Sequence, residues 1–271
     1  MTTELESTGA ANAQARRSAN PATMLIPAWF VWAGLLIGAM VVGNLAGGHA
    51  TATATAARMG SSLVLVATGW YLFAIWRSTA VGRFAALIAI GMTLGTIGDF
   101  FNANLLNFIP LPDPVLGGIG AFGWGHIAYI AACVHLARRA GLTARRPMLG
   151  AIVAWQLVGV VAWYFVVMQG TENRDLVWPA LPYSLLLAGT AGVTLGLALQ
   201  DRRLAWLALG AALFLVSDLI LAFGLFRGSF DHQTEAVWLT YGPGQMLIVF
   251  SVVSAALVLV DRRGAAVQAA P

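Results

Sequence analysis

Leu204–Phe226 reads LAWLALGAALFLVSDLILAFGLF, an unbroken apolar run with one ionisable side chain, Asp218, bounded by Arg202 and Arg203 on one side and Arg227 on the other. A helix of roughly 20 apolar residues crosses a hydrocarbon core about 30 Å thick, so this stretch reads as a membrane span that carries an acid inside it. Working outward, seven further runs of the same kind fall at Met24–Leu45, Met59–Trp76, Phe84–Phe108, Gly118–Leu136, Leu149–Met168, Leu176–Leu199 and Ala236–Val260. They are continuous, unlike the alternating ten-residue segments of a membrane β-barrel. The expected fold is therefore all-α, a polytopic bundle of about eight transmembrane helices. Composition agrees: 59% of the 271 residues are hydrophobic and 10% charged, with a mean hydropathy of +0.79, far from the balance of a water-soluble domain.

The chain divides accordingly into a polar tail over 1–22, a transmembrane domain over 23–262 and a short tail over 263–271. The run after Arg16 and Arg17 is too long for an export-signal core and reads as a retained helix. The fifteen cationic residues are all arginine. They come in pairs at the ends of apolar runs instead of forming one patch, which points to a lipid bilayer as partner and away from nucleic acid. Twelve (16, 17, 77, 83, 138, 139, 145, 146, 202, 203, 262 and 263) fall on one side of the expected topology, against Arg58, Arg174 and Arg227 on the other. The positive-inside rule then places both termini in the cytoplasm of a bacterial-type inner or plasma membrane. Cys133 is the only cysteine, so no disulfide framework exists. Nothing in the sequence speaks to oligomeric state.

Of eleven acidic residues, nine fall in expected tails or loops, and only Asp99 and Asp218 lie well inside spans. At a helical rise of 1.5 Å per residue, both sit roughly 22 to 24 Å from the arginine-rich side. His126 and Gln245, on helices running the other way, return to the same level. An offset of 119 places Asp99 on Asp218, Gly91 on Gly210, and GWGHI (123–127) on GPGQM (242–246), the signature of a parallel repeat of four helices each.

A carboxylate at membrane depth costs several kcal/mol by insertion scales of about 2.5–3.5. It normally faces a bundle interior or an aqueous cavity. Tyr241 and Gln245 share a helix face at i, i+4, and His126 shares one with Phe122 and Tyr129; these are the natural partners of the two acids. Glycines at 91, 95, 98, 123, 125, 242 and 244 read as sites of close helix packing. His135 lies about 180° around its helix from His126, so the two cannot share a metal ion. No P-loop, GxSxG elbow, HExxH or cysteine cluster is present. At this level three chemistries remain open besides simple interhelical bonding: acid/base hydrolysis of a lipid, proton-coupled transport, and a metal-assisted lipid amidase or esterase using Asp99, Asp218 and His126.

The motifs TLGTIGDFFNANL (93–105), GAFGWGHIAYI (120–130), PYSLLLAGTAG (182–192), LGAALFLVSDLILAFGLF (209–226) and YGPGQMLIV (241–249), in this order, resemble the lysoplasmalogenase (YhhN-type) membrane protein family. Asn102 stands where the first motif usually carries an aliphatic residue, and the loop 107–118 is longer than usual. The resemblance implies hydrolysis of the vinyl ether bond of a lysoplasmalogen, a lysophospholipid-like substrate, to a fatty aldehyde and a glycerophospho-headgroup, with no cofactor and no metal. Such chemistry needs one protonated acid and one carboxylate, as in glycoside hydrolysis. Two carboxyls sharing a site out of water resist simultaneous ionisation. The expected roles are Asp99 as general acid and Asp218 as cation stabiliser or base, with the reverse open. His126, Tyr129, Tyr241, Gln245, Asn102 and Tyr183 are expected to bind or orient substrate, water or the acids.

Overall fold

The computed structural model describes residues 21–48 and 51–268, which form eight long helices and, among the described residues, no strand. They are α1 (Pro21–Leu45), α2 (Ala52–Trp76), α3 (Gly82–Asn102), α4 (Pro114–Ala140), α5 (Arg145–Ala162, continued by a π-helical stretch Trp163–Met168), α6 (Val177–Ala198), α7 (Ala205–Arg227) and α8 (Gln233–Gln268). Every one contains a segment long and apolar enough to cross a membrane. The protein is an integral membrane helical bundle, as its apolar runs implied. The expected tail over 1–22 falls almost wholly outside the described residues, and α8 continues past the expected boundary at 262.

Local chemistry sets the helix ends. Asp113 caps α4 by accepting from the Val115 N–H at 2.8 Å, and Pro114 supplies a first residue that needs no donor partner. At the other end Gly141 takes the left-handed conformation, φ 66°, after Arg138 and Arg139 in the last turn, where cations complement the helix dipole. The apolar run expected to continue to Phe108 stops being helical at Asn102. Leu105 N–H turns back to Phe100 O, and Asn104 adopts φ 56°, a conformation asparagine tolerates better than most residues. In the other direction α2 starts seven residues before Met59, because Thr51 accepts from Ala54 N–H at 3.1 Å and opens the helix across a polar-looking Ala/Thr stretch.

That earlier start puts Arg58, which directly precedes the apolar run at Met59, inside a helix, where it is 3% exposed and paired with Glu235 at 2.7 Å. Glu235 is likewise in the first turn of α8 and Asp261 within the same helix, so fewer acids lie in loops than the apolar runs suggested.

Hydrocarbon offers no hydrophobic drive for one apolar helix to prefer another over lipid, so contact depends on close fit and small residues. The α3/α4 crossing is tight enough that a Cβ on Gly125 would lie 3.1 Å from Gly91 O. The α7/α8 crossing repeats it, with a Cβ on Gly244 lying 2.9 Å from Gly210 O. Both glycine pairs are related by the offset of 119, so the sequence repeat has a counterpart in how the helices meet. Helices α3, α4, α6, α7 and α8 supply most of the buried interior, including Phe84, Ile88, Phe214 and Val252. Much of α1 and α5 is exposed and apolar, for example Phe30, Ile37, Val153 and Leu157, the surface a lipid-facing helix presents. Helices α6 and α8 run unbroken through Pro182 and Pro243.

Candidate active site

The starts of α2, α4, α6 and α8 and the ends of α3, α5 and α7 gather at the arginine-poor end of the bundle, and two cavities lie between them. One, about 260 Å³, is lined by Thr55, Arg58, Asp99, Asn104, Gln233 and Tyr241 among others. A single water needs roughly 10–15 Å³, so this space can hold several. The second, about 90 Å³, is walled mainly by apolar side chains of α4 to α7, among them Ile119, Trp163, Val167, Leu187 and Ala222. Trp163 and Val167 come from the π-helical turns of α5, a distortion that recurs at functional sites. Asn102, Phe122, Asp218 and Leu221 line both cavities. Asp218 thus stands where the polar space meets the apolar one.

Asp99, 5% exposed, accepts two hydrogen bonds on the same oxygen: Ser62 Oγ donates to Oδ2 at 2.7 Å and Tyr241 Oη at 3.0 Å. Tyr241 is itself the end of a one-way chain. Tyr129 Oη donates to Gln245 Oε1 at 2.9 Å, Gln245 Nε2 donates to Tyr241 Oη at 3.1 Å, and the Tyr241 hydrogen is left for Asp99. Each group in this chain gives one hydrogen forward, so the bonds polarise one another and hold the carboxyl in one orientation. The glycines of α3 make the chain sterically feasible. A Cβ at Gly91 would collide with the Tyr129 ring, and one at Gly95 would lie 2.8 Å from Gln245 Nε2.

Asp218 is half-buried. Tyr183 Oη donates to its Oδ2, and Ser217 Oγ reaches Oδ1 at 3.3 Å. Both acids line the polar cavity.

His126 is placed differently from expectation. It contacts neither acid by a hydrogen bond and lines neither cavity. Its Nδ1 meets Thr190 Oγ1 at 3.1 Å, and its ring lies against Phe214, Tyr183 and Tyr129 with centroids 4.7, 5.9 and 6.0 Å apart. Thr190 can give its own hydrogen to Leu186 O, which leaves it to accept from Nδ1–H and makes Nε2 a buried acceptor with no partner. His126 therefore packs behind Tyr183, which bonds Asp218, and Tyr129, which begins the hydrogen-bond chain to Asp99. Tyr129 and Gln245 are also behind the cavity wall, whereas Asn102, Tyr183 and Tyr241 are on it. Among the described residues, no three His, Cys, Asp or Glu side chains come together as a metal site would require, so the donor set for the metal-assisted reading is not assembled.

Ser62, Thr190, Ser217 and the Arg58–Glu235 pair escaped the sequence reading. For Ser62 a signal existed: it lies four residues from Arg58, on the same helix face, once Thr51 is recognised as the cap. Thr190 lies in the quoted motif of α6 but is one of several small residues there.

The YhhN family model matches residues 53–252, which spans α2 to α8 and every residue of the site. The chain is 32% identical over 144 residues to the lysoplasmalogenase TMEM86B of Sus scrofa, covering 52% of this chain and 55% of that one. It is 27% identical over 177 residues to lysoplasmalogenase TMEM86B of Homo sapiens, covering 65% and 68%. It is 26% identical over 133 residues to a lysoplasmalogenase of Mycobacterium tuberculosis, covering 48% of each. The matched segment thus spans about half the length of most of these relatives. No solved structure matches the chain. With the family match running through seven of the eight helices, the chain belongs to the YhhN family.

Proposed function

We propose that this protein hydrolyses the vinyl ether bond of a lysoplasmalogen. The observation that carries the reading is the position of Asp218 at the junction of a polar and an apolar cavity, with Asp99 facing the polar one. A lysoplasmalogen has its reactive bond at the junction of its polar and apolar parts. With the headgroup in the larger space and the alkenyl chain directed into the apolar one, the vinyl ether lies beside Asp218.

Cleavage begins with protonation of the vinyl carbon remote from oxygen, on the chain side. Asp218 is the acid that reaches that side, which favours it as proton donor over Asp99, the alternative that the sequence leaves open. The resulting oxocarbenium ion is stabilised by the Asp99 carboxylate, held by Ser62 and Tyr241. Water in the polar cavity attacks the cationic carbon and gives a proton to Asp99, forming a hemiacetal. The hemiacetal then breaks its carbon–oxygen bond to glycerol. Asp99 returns its new proton to the departing glycerol oxygen while the Asp218 carboxylate takes the hydroxyl proton, so a fatty aldehyde and a glycerophospho-headgroup form and both acids return to their starting states.

The arginine bias supports cytoplasmic termini and cavities in the outer half of the membrane, where a lysolipid can present its headgroup while its chain stays in hydrocarbon. The test is aldehyde release from a defined lysoplasmalogen by purified protein, with and without chelator. Release that persists with chelator and is lost in both Asp99→Asn and Asp218→Asn is expected; no release by folded wild type would remove the assignment.

A further inference from the structure

The polar cavity has an unusual member. Arg58 is 3% exposed yet lines the space that also holds both acids. An arginine at membrane depth is normally compensated throughout, but here compensation is partial. One guanidinium nitrogen, Nη2, bonds Glu235 Oε1 at 2.7 Å, while Arg58 Nε and Glu235 Oε2 are buried without partners. Gly43 on α1 leaves the room for this pair, since a Cβ there would lie 2.9 Å from Arg58 Nη2 and collide with Glu235. A guanidinium with unused donors, fixed by a carboxylate on one side and facing a cavity on the other, matches a phosphate oxyanion.

We propose that Arg58 is the phosphate anchor for the phosphodiester headgroup of a lysophospholipid, with Glu235 as the positioning residue that aims it. This rests on the reading of the site as a lysolipid hydrolase and names what selects its substrate. The cavity offers one buried cation already paired with an anion, so the arrangement suits a phosphodiester that carries a compensating ammonium better than a doubly charged free phosphate. Asn104, Gln233 and Thr55 on the same wall supply neutral polar contacts for the remainder of the headgroup. Bound there, the phosphate sets how far the vinyl ether extends toward Asp218.

The test uses purified full-length protein and two saturated, uncleavable lipids, a lysophosphatidylethanolamine and a monoalkylglycerol of equal chain length, with binding followed by tryptophan fluorescence, since Trp238 lines the cavity. Arg58→Gln is made beside Arg58→Gln/Glu235→Gln, which leaves no unpaired buried charge and guards against a variant that fails to fold. The expected result is a fall of about tenfold to a hundredfold in preference for the phospholipid over the neutral lipid, the size of a lost charge-assisted hydrogen bond. An unchanged preference in the folded double variant would overturn the proposal and leave Arg58 as a clamp between α2 and α8. Glycerophosphoethanolamine is expected to compete with the phospholipid and inorganic phosphate at the same concentration is not; equal competition by phosphate would overturn the headgroup assignment. Because neither lipid is cleaved, these outcomes do not depend on hydrolysis, whereas absence of aldehyde release speaks only to the reaction.

Discussion

Tyr241 and Asp99, 142 positions apart in the chain, meet through a 3.0 Å hydrogen bond from the phenol to Oδ2, and Tyr241 is free to make it because Gln245 supplies the hydrogen bond the phenol oxygen accepts. The acid on α3 is thereby oriented by α8, the last helix of the bundle.

Removing that donor separates orientation from stability. Tyr241→Phe keeps the ring that packs against Phe214 at 5.2 Å and deletes only the hydroxyl. A net hydrogen bond contributes about 1 kcal/mol, so a small loss in thermal stability is expected together with a larger fall in kcat, on the order of tenfold or more. Melting curves and turnover measured on the same preparation check this; an unchanged kcat would show that Ser62 orients Asp99 unaided.

The two carboxyls are expected to act as a unit. Asp99→Asn and Asp218→Asn should each lower kcat by roughly 10²–10⁴-fold, the range of general acid or base catalysis. The double variant should be scarcely worse than either single one, as happens when residues share one step. Losses that multiplied in the double variant would mean the two aspartates work independently.

The repeated glycine crossing has a structural consequence. Gly244→Ala would place a methyl group 2.9 Å from the Gly210 carbonyl, where backbone cannot yield cheaply, and Gly125→Ala would place one 3.1 Å from Gly91 O. Overpacking of this kind costs about 1–3 kcal/mol. Unfolding in mixed detergent should show both variants destabilised, Gly244→Ala the more.

At the arginine-rich end Asp201 caps the short turn leading into α7. It accepts from the Arg203 backbone N–H at 3.2 Å and from its guanidinium at 2.9 and 2.8 Å. The hydrogen bonds from the Arg203 side chain hold its carboxyl below the ordinary carboxylate value. A group whose value is depressed on folding adds stability above its unfolded value, about 3.9, and loses it as pH falls through the folded one. Wild type should therefore lose stability as pH drops below about 4, and Asp201→Asn should flatten that part of the curve without changing stability trends at higher pH. Melting temperatures across pH 3 to 7 check the sign.

Much of this molecule was legible because its signals are local. Apolar length gave the spans, and the desolvation cost of a carboxylate singled out Asp99 and Asp218. Helical rise brings His126 and Gln245 to their level, with Tyr241 one turn from Gln245 on the same face. Where reading stopped short, the reason was also physical. Arg58 falls just outside the apolar run that begins at Met59 because the Ala/Thr stretch before it is only weakly apolar, and its pairing depends on Glu235, 177 positions away. His126 was grouped with the acids by depth, yet its rotation about α4 turns it toward Thr190 and the aromatic rings.

The sequence by itself determined an eight-helix membrane bundle, the presence of two acids inside its spans, and two sets of motifs related by an offset of 119. Which helices become neighbours was decided only by tertiary structure, because in hydrocarbon apolar helices gain nothing from burial against each other and assort by the fit of glycines and polar side chains at their crossings. That assortment put Ser62 and Tyr241 on Asp99, paired Arg58 with Glu235, and set Asp218 where a polar cavity meets an apolar one.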